Sequence, residues 1–219
     1  MSDKELVQGC LYKKQSLGDK HVFSTPSCIE DIEQFDKLLE VCENAHEDEV
    51  IILNVFCYGG SADVTMAVYN ALMGTAATVY TINKSVAYSG GSILLLAGQN
   101  IGYEPLARTM IHTSTVGYYP DKLPEVETAI ESHSKFLKEF YTDVYTGFLT
   151  EEELSDVLKG RPVYIMGEEH NDRLERLMEH RRALNEDFAK EQSVGIPSKE
   201  ELLKKTKKEL VSMMVGEDE

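Results

Sequence analysis

No apolar run in this sequence approaches the roughly eighteen residues that a membrane-spanning helix requires, so no transmembrane helix is expected. The first ten residues, MSDKELVQGC, are charged and lack the apolar stretch of a secretory leader, and no export signal is expected. Cysteine is scarce: Cys10, Cys28, Cys42 and Cys57 form no C-x-x-C pair and share no zinc-type spacing with histidine. A metal site and a disulfide framework are therefore not expected, and scattered thiols fit a reducing, cytoplasmic setting. Cys42 and Cys57 lie among apolar residues and should pack as small hydrophobes. Basic residues are the minority, 22 Lys and Arg against 38 Asp and Glu, for a net charge of −16. Such a surface repels phosphate backbones, which makes nucleic acid a poor candidate partner, and none is expected. There is no internal repeat and no low-complexity segment.

What is present is an ordinary globular balance. The 219 residues are 42% hydrophobic and 27% charged, enough for one full domain with a real core. Residues 1–20 are polar and read as an arm, and residues 21–24 as a first strand. Ile29, Ile32, Phe35, Leu39 and Cys42 recur at helical steps. Residues 50–56 are a dense apolar run of the kind buried on both faces of a sheet. Val64, Ala67, Val68, Ala71 and Leu72 mark a second helix ending at Gly74. Residues 78–82 form a strand, 83–89 a short connection, 92–97 an apolar helix and 109–112 another strand. This alternation argues for an α/β domain with a mainly parallel sheet. A long helix follows over 123–148, with an apolar stripe of Ile130, Leu137, Tyr141, Val144 and Phe148. Thr150-x-x-Glu153 is a capping box that opens a short helix. Gly160-Arg161-Pro162 ends it, and residues 163–165 suit a short strand. Residues 168–192 are charged and helix-prone. A second capping box, Ser198-x-x-Glu201, opens an amphipathic terminal helix to about residue 214, which could dock on a neighbour.

Three segments set reactive groups beside unusual backbone. Tyr58-Gly59-Gly60-Ser61 joins a strand to a helix, and paired glycines there permit positive φ and leave N–H groups for an anion. The alternative is a tight turn. Ala87-Tyr88-Ser89-Gly90-Gly91-Ser92 could project a serine Oγ and offer the next N–H to an oxyanion, although G-x-S-x-G is not met because residue 87 is alanine. The alternative is a loop capping a buried helix. His112, ending Arg108-Thr109-Met110-Ile111-His112, could be a general base or a core histidine. The other five histidines sit in charged or helical surroundings and read as solvated. Lys84, five residues before Ser89, reads as a solvated loop lysine rather than a partner in a Ser–Lys dyad.

Together these segments resemble the ClpP family of serine peptidases and its phage-encoded relatives over residues 21–169. The resemblance is carried by Glu47-Asp48-Glu49-Val50-Ile51-Ile52-Leu53, Gly59-Gly60-Ser61 and Met66-Ala67-Val68-Tyr69, and then by Ala87 to Ser92, Leu95-Leu96-Ala97-Gly98 and Met110-Ile111-His112. It implies a ClpP/crotonase-like α/β fold with a projecting long helix. It also implies Ser89 as nucleophile, His112 as base, the N–H groups of Gly60 and Gly90 as oxyanion hole, and no cofactor. Substrate would pair as an added strand beside residues 59–61 and 113–117. Further implications are stacked homo-oligomeric rings and peptide or unfolded-protein substrates cut inside a chamber. An AAA+ unfoldase would be the family's partner, but the first twenty residues do not show the family's axial-loop segment.

Two departures stand out. The family's triad aspartate corresponds to Gly160, Arg161 or Pro162, leaving Asp156 or Asp172 as distant substitutes. Residues 170–219 continue as a charged helical extension instead of the family's closing strand. These departures leave a catalytically weak or inactive assembly subunit as the alternative. A crotonase-type enolate-stabilising enzyme is a third, for which no coenzyme A-binding feature is visible. The organisation expected is an arm over 1–20, a peptidase domain over 21–169 and an extension over 170–219.

Overall fold

The computed structural model describes residues 11–15, 20–114 and 123–194. A seven-stranded sheet runs in the order β1-β2-β3-β4-β6-β7, with β5 paired to β4 beside that path. In chain order, β1 (Leu11–Gln15) and β2 (Lys20–Ser24) pair antiparallel, so six residues of the expected arm, Leu11–Gln15 and Lys20, join the sheet. A 3-10 turn (Ile32–Phe35) leads into α1 (Asp36–Asn44), then β3 (Val50–Cys57), α2 (Ala62–Gly74) and β4 (Thr78–Tyr88). Next come α3 (Gly90–Leu96), β5 (Asn100–Tyr103), β6 (Arg108–Ile111) and α4 (Leu123–Tyr145). The remainder is α5 (Glu151–Leu158), β7 (Val163–Met166) and α6 (Glu169–Val194). The pairs β2–β3, β3–β4, β4–β5 and β4–β6 are parallel, and β6–β7 is antiparallel. The fold is therefore α/β with a mainly parallel sheet. Among the described residues no helix is long and apolar enough to cross a membrane.

The central strand differs from its sequence reading in a way that positions the site. β4 does not stop at Ile82 but continues to Tyr88. Its first half pairs with β5 through Tyr80 to Asn83 and its last residues pair with β6 through Val86 to Tyr88. Between them the β3–β4 register slips, from Val55↔Asn83 to Cys57↔Ala87. Asn83 pins the bend: its amide donates to Arg108 O at 3.0 Å and Thr109 Oγ1 at 3.1 Å, and its Oδ1 accepts from Ser85 N at 3.1 Å. A buried asparagine that satisfies three backbone or hydroxyl groups is a tertiary feature, which strand periodicity does not reveal.

The core lies where β3 and β4 pack on α3. Every residue of α3 is buried, as expected for a helix apolar on all sides. In β3 the alternation is plainer than the apolar run suggested: Ile51, Leu53, Val55 and Cys57 are fully buried, whereas Phe56 is 43% exposed. The opposite face carries Phe56, Tyr58 and Tyr80 in the open. The expected helix from Ile29 starts late, because Ile29 is extended and bridges to Gly60. Cys42 and Cys57 are buried, and burial raises both thiols, to about 12 and about 11.

Two histidines read as solvated are core residues. His170 is fully buried, stacked on Tyr103, with Nδ1 at 2.8 Å from Gly167 O and Nε2 at 2.8 Å from Thr109 Oγ1. A carbonyl can only accept, so Nδ1 carries the hydrogen and Nε2 accepts from the threonine. His21 is 8% exposed and faces Glu49.

The Thr150–Glu153 capping box forms as read. Glu153 also takes a two-pronged ion pair from Arg173, at 2.8 and 2.6 Å, which ties α5 to α6. That guanidinium holds the Glu153 carboxyl down at about 2. A depressed carboxylate adds stability above its unfolded value, and that contribution is lost as pH falls through the folded value. Stability should therefore decline between about pH 4.5 and 2. Glu153→Gln should flatten that decline and cost about 2 kcal/mol at neutral pH. Urea titrations at several pH values check this; an unchanged acid limb in the variant would sink it.

The chain divides into two compact units, Met1–Leu177 and Met178–Glu219. In the first, α6 contributes the buried His170 and Leu177. Of the second, the described residues are helical to Val194, with Leu184 exposed. The expected helix over 198–214 lies outside the described residues.

Candidate active site

Two strand-to-helix turns meet at one place. At the first, Gly59 and Gly60 have φ of 97° and 149°. A Cβ on Gly60 would lie 1.9 Å from Ile29 O, so only glycine fits there. The bridge to Ile29 is closed by Ile29 N–H to Gly59 O and Ser61 N–H to Ile29 O, both 2.8 Å. That pattern leaves the Gly60 N–H unused. A Cβ on Gly59 would come within 2.6 Å of Ser89 Cβ, which measures how closely the two turns approach. Ser61 then caps α2, its Oγ accepting from Val64 N.

At the second turn, Ser89 sits between β4 and α3 with φ 52° and ψ −122°, the single non-glycine at positive φ among the described residues. This conformation costs about 1–3 kcal/mol and persists only where its surroundings over-determine it. Ser89 N–H donates to Met110 O at 2.8 Å, prolonging the β4–β6 ladder. Ser89 O accepts twice from Ser92, from N at 2.9 Å and from Oγ at 2.6 Å. Gly90 and Gly91 follow because Cβ atoms there would meet Thr65 Oγ1 at 2.5 Å and Cys57 O at 2.8 Å. As the first helical residue, Gly90 has an N–H with no intrahelical acceptor.

His112 stands one residue past the end of β6 and is half-buried. Ser89, His112, Gly60 and Gly90 all line one cavity of about 570 Å³. Ile93 and Met66 add apolar wall, and α4 forms another side with His133, Phe136, Phe140 and Tyr141. Ser89 and His112 thus share a cavity, but no hydrogen bond joins their side chains in this structure. Catalytic hydrogen bonds are often long before substrate closes them.

β7 runs antiparallel to β6 with Ile111 opposite Val163. The residues just beyond that last pair are His112 and Pro162, and proline has no charge to offer. Asp156 is engaged by Arg161 at 3.1 Å, and Asp172 is exposed on α6. Among the described residues no carboxylate bonds to the His112 ring. Lys84 pairs with Glu104 on the exposed side of β4 and does not line the cavity. No group of described histidines, cysteines and carboxylates is arranged to hold a metal.

The part of the site that sequence reading missed belongs to α4. The expected stripe takes Leu137, Tyr141 and Val144 correctly toward the body, but Ile130 is 57% exposed. His133, Phe136 and Phe140, at three- and four-residue steps on a neighbouring face, line the cavity instead. Among the described residues, His133 Nε2 on that wall and Ser114 Oγ, which also lines the cavity, are buried without a partner. The signal was present as a second apolar row, but helical spacing does not say which row meets a cavity. Of the proposed substrate-pairing segment, residues 115–117 lie outside the described residues.

The family model described as Clp protease matches residues 13–157, more than half of the chain. The chain belongs to the Clp protease family. It is similar to an ATP-dependent Clp protease proteolytic subunit of Triticum aestivum, 29% identical over 122 residues, 54% of this chain and 51% of the relative. It is also similar to one of Zea mays, 27% identical over 130 residues, 58% of this chain and 54% of the relative. The chain spans about half the length of the curated relatives it matches. The family match covers both glycine turns, Ser89 and His112, and stops before β7 and α6.

Proposed function

We propose that this member of the Clp protease family is a serine endopeptidase with Ser89 as nucleophile and His112 as general base. The observation that carries the reading is the strained Ser89 turn, set against the Gly59–Gly60 turn in the cavity that His112 also lines. His112 would take the Ser89 Oγ proton as Oγ attacks the scissile carbonyl. The Gly60 and Gly90 N–H groups would receive the developing oxyanion, each contributing about 3 kcal/mol in the transition state. His112 would then give its proton to the leaving amine, and water would hydrolyse the acyl-enzyme by the reverse sequence. The apolar wall of Ile93, Met66 and the α4 aromatics suits an apolar substrate side chain.

Assembly into homo-oligomeric rings is part of the reading. It is supported by the open aromatic face of Phe56, Tyr58 and Tyr80 and by the exposed Ile130 and Phe136 of α4, apolar surface that a neighbouring subunit would cover. Peptides or unfolded chains in the cytoplasm would then be cut inside the ring.

A second reading, a weakly active or inactive assembly subunit, is favoured by one observation: no described carboxylate bonds to the His112 ring, and the residue next to the last β6–β7 pair is Pro162. Loss of the triad carboxylate elsewhere lowers rate by about 10⁴. Fluorophosphonate labelling read by intact mass separates the two. A single adduct on the folded protein, absent from Ser89→Ala and strongly reduced in His112→Ala, is the expected result. An unlabelled, folded wild type would instead favour the assembly subunit.

A further inference from the structure

We infer that α4 holds the catalytic pair in register through two tyrosines one turn apart, Tyr141 and Tyr145, each fixing the backbone of one partner. The inference rests on the serine peptidase reading and assigns both residues a positioning role.

Tyr141 Oη donates to the backbone carbonyl of His112 at 2.9 Å. His112 lies past the last β6–β7 rung, so the ladder does not hold that carbonyl. On the other side, Ser92 Oγ donates its single hydrogen to Ser89 O at 2.6 Å. The 2.8 Å contact between Ser92 Oγ and Tyr145 Oη must then have the tyrosine as donor. The result is a relay from Tyr145 through Ser92 to the carbonyl of the strained Ser89. Relaxing Ser89 out of positive φ would swing that carbonyl, and the relay opposes the swing.

Both tyrosines are nearly or fully buried, 4% and 1% exposed, with ring centroids 5.4 Å apart. Residues spaced by four share a helix face, so a shift of α4 moves both hydroxyls together. Burial also raises both phenols, Tyr141 to about 12 and Tyr145 further, so each stays a donor across the neutral range. Packing alone would be served equally well by phenylalanine. The hydroxyls make the difference: that of Tyr141 meets the His112 carbonyl directly, and that of Tyr145 meets Ser92 Oγ, which holds the Ser89 carbonyl.

The test compares wild type with Tyr141→Phe, Tyr145→Phe, the double variant and Ser92→Ala. Thr81→Val is the control: it removes a buried hydroxyl that donates to Leu95 O, away from the cavity. Each protein is followed by fluorophosphonate labelling rate, by kcat and KM on a fluorogenic peptide, and by thermal unfolding. Each phenylalanine variant should label about 10-fold more slowly and the double variant about 100-fold, with KM within about twofold, because small misplacements of reacting groups cost rate rather than binding. Because Tyr145 acts through Ser92, adding Tyr145→Phe to Ser92→Ala should cost nothing further. Thr81→Val should lower the unfolding temperature yet label at the wild-type rate. Phenylalanine variants that label like wild type, or a control slowed as much as they are, would overturn the inference while leaving the peptidase reading intact. A wild type that does not label overturns both.

Discussion

Gly60→Ala should yield no stable native protein, or one destabilised by more than about 4 kcal/mol. The added methyl would sit 1.9 Å from Ile29 O, 2.7 Å from its carbonyl carbon and 2.8 Å from its nitrogen. All three are backbone atoms, so no rotamer change relieves the overlap. The bridge that would have to part is also the contact that leaves the Gly60 N–H free and holds the 58–61 turn beside Ser89. At φ 149° an L side chain is strained in any case. Gly160→Ala is the natural comparison. Gly160 also has positive φ, 85°, but a Cβ there meets nothing within 4 Å, so only the conformational term of about 1–2 kcal/mol applies. Urea denaturation of both variants checks the pair. A Gly60→Ala protein as stable as Gly160→Ala would refute the close-approach account.

His112→Ala should lower peptide hydrolysis by about 10⁴ with little change in unfolding temperature, and Ser89→Ala should do at least as much. His112 is half-buried, at a strand end, and its carbonyl accepts from Tyr141 Oη, a bond that alanine retains. Stability should therefore be nearly blind to the substitution. The sharper expectation concerns the double variant. Nucleophile and base act as one unit, so Ser89→Ala with His112→Ala should be no slower than Ser89→Ala alone. Residual hydrolysis would come from the Gly60 and Gly90 N–H groups and from substrate positioning. Steady-state rates on one peptide decide this. Retention of more than a tenth of the activity by His112→Ala would remove it as base. Multiplicative losses in the double variant would separate the two residues into independent roles.

Much of this protein is local in origin, and that part could be read from the chain. The Thr150–Glu153 capping box, the end of α2 at Gly74 and the apolar run of α3 each follow from residues within one or two turns. So do the paired glycines before α2 and after Ser89, because a turn needing positive φ or close approach leaves its mark as glycine. The order of segments carried the α/β class, and the motifs together carried the family.

What the chain could not show is what depends on distant partners. β4 was cut short at Ile82 because Asn83, Lys84 and Ser85 interrupt its apolar pattern, and β5 was missed. Only pairing with β5 and β6 makes one bent strand of that stretch. His170 looked solvated among charges, yet it is buried on Thr109, 61 residues away. Tyr141 reads as core stripe and Tyr145 is not singled out, and their hydroxyl targets lie 29 and 53 residues away. The sequence by itself determined the turns, the caps and the identity of Ser89 and His112 as candidates, since these rest on backbone propensity and short spacing. Tertiary structure alone decided that the two share a cavity, that no described carboxylate bonds to the His112 ring, and that α4 grips both. Contacts between residues far apart in the chain are set by packing the whole core, and no local pattern encodes them.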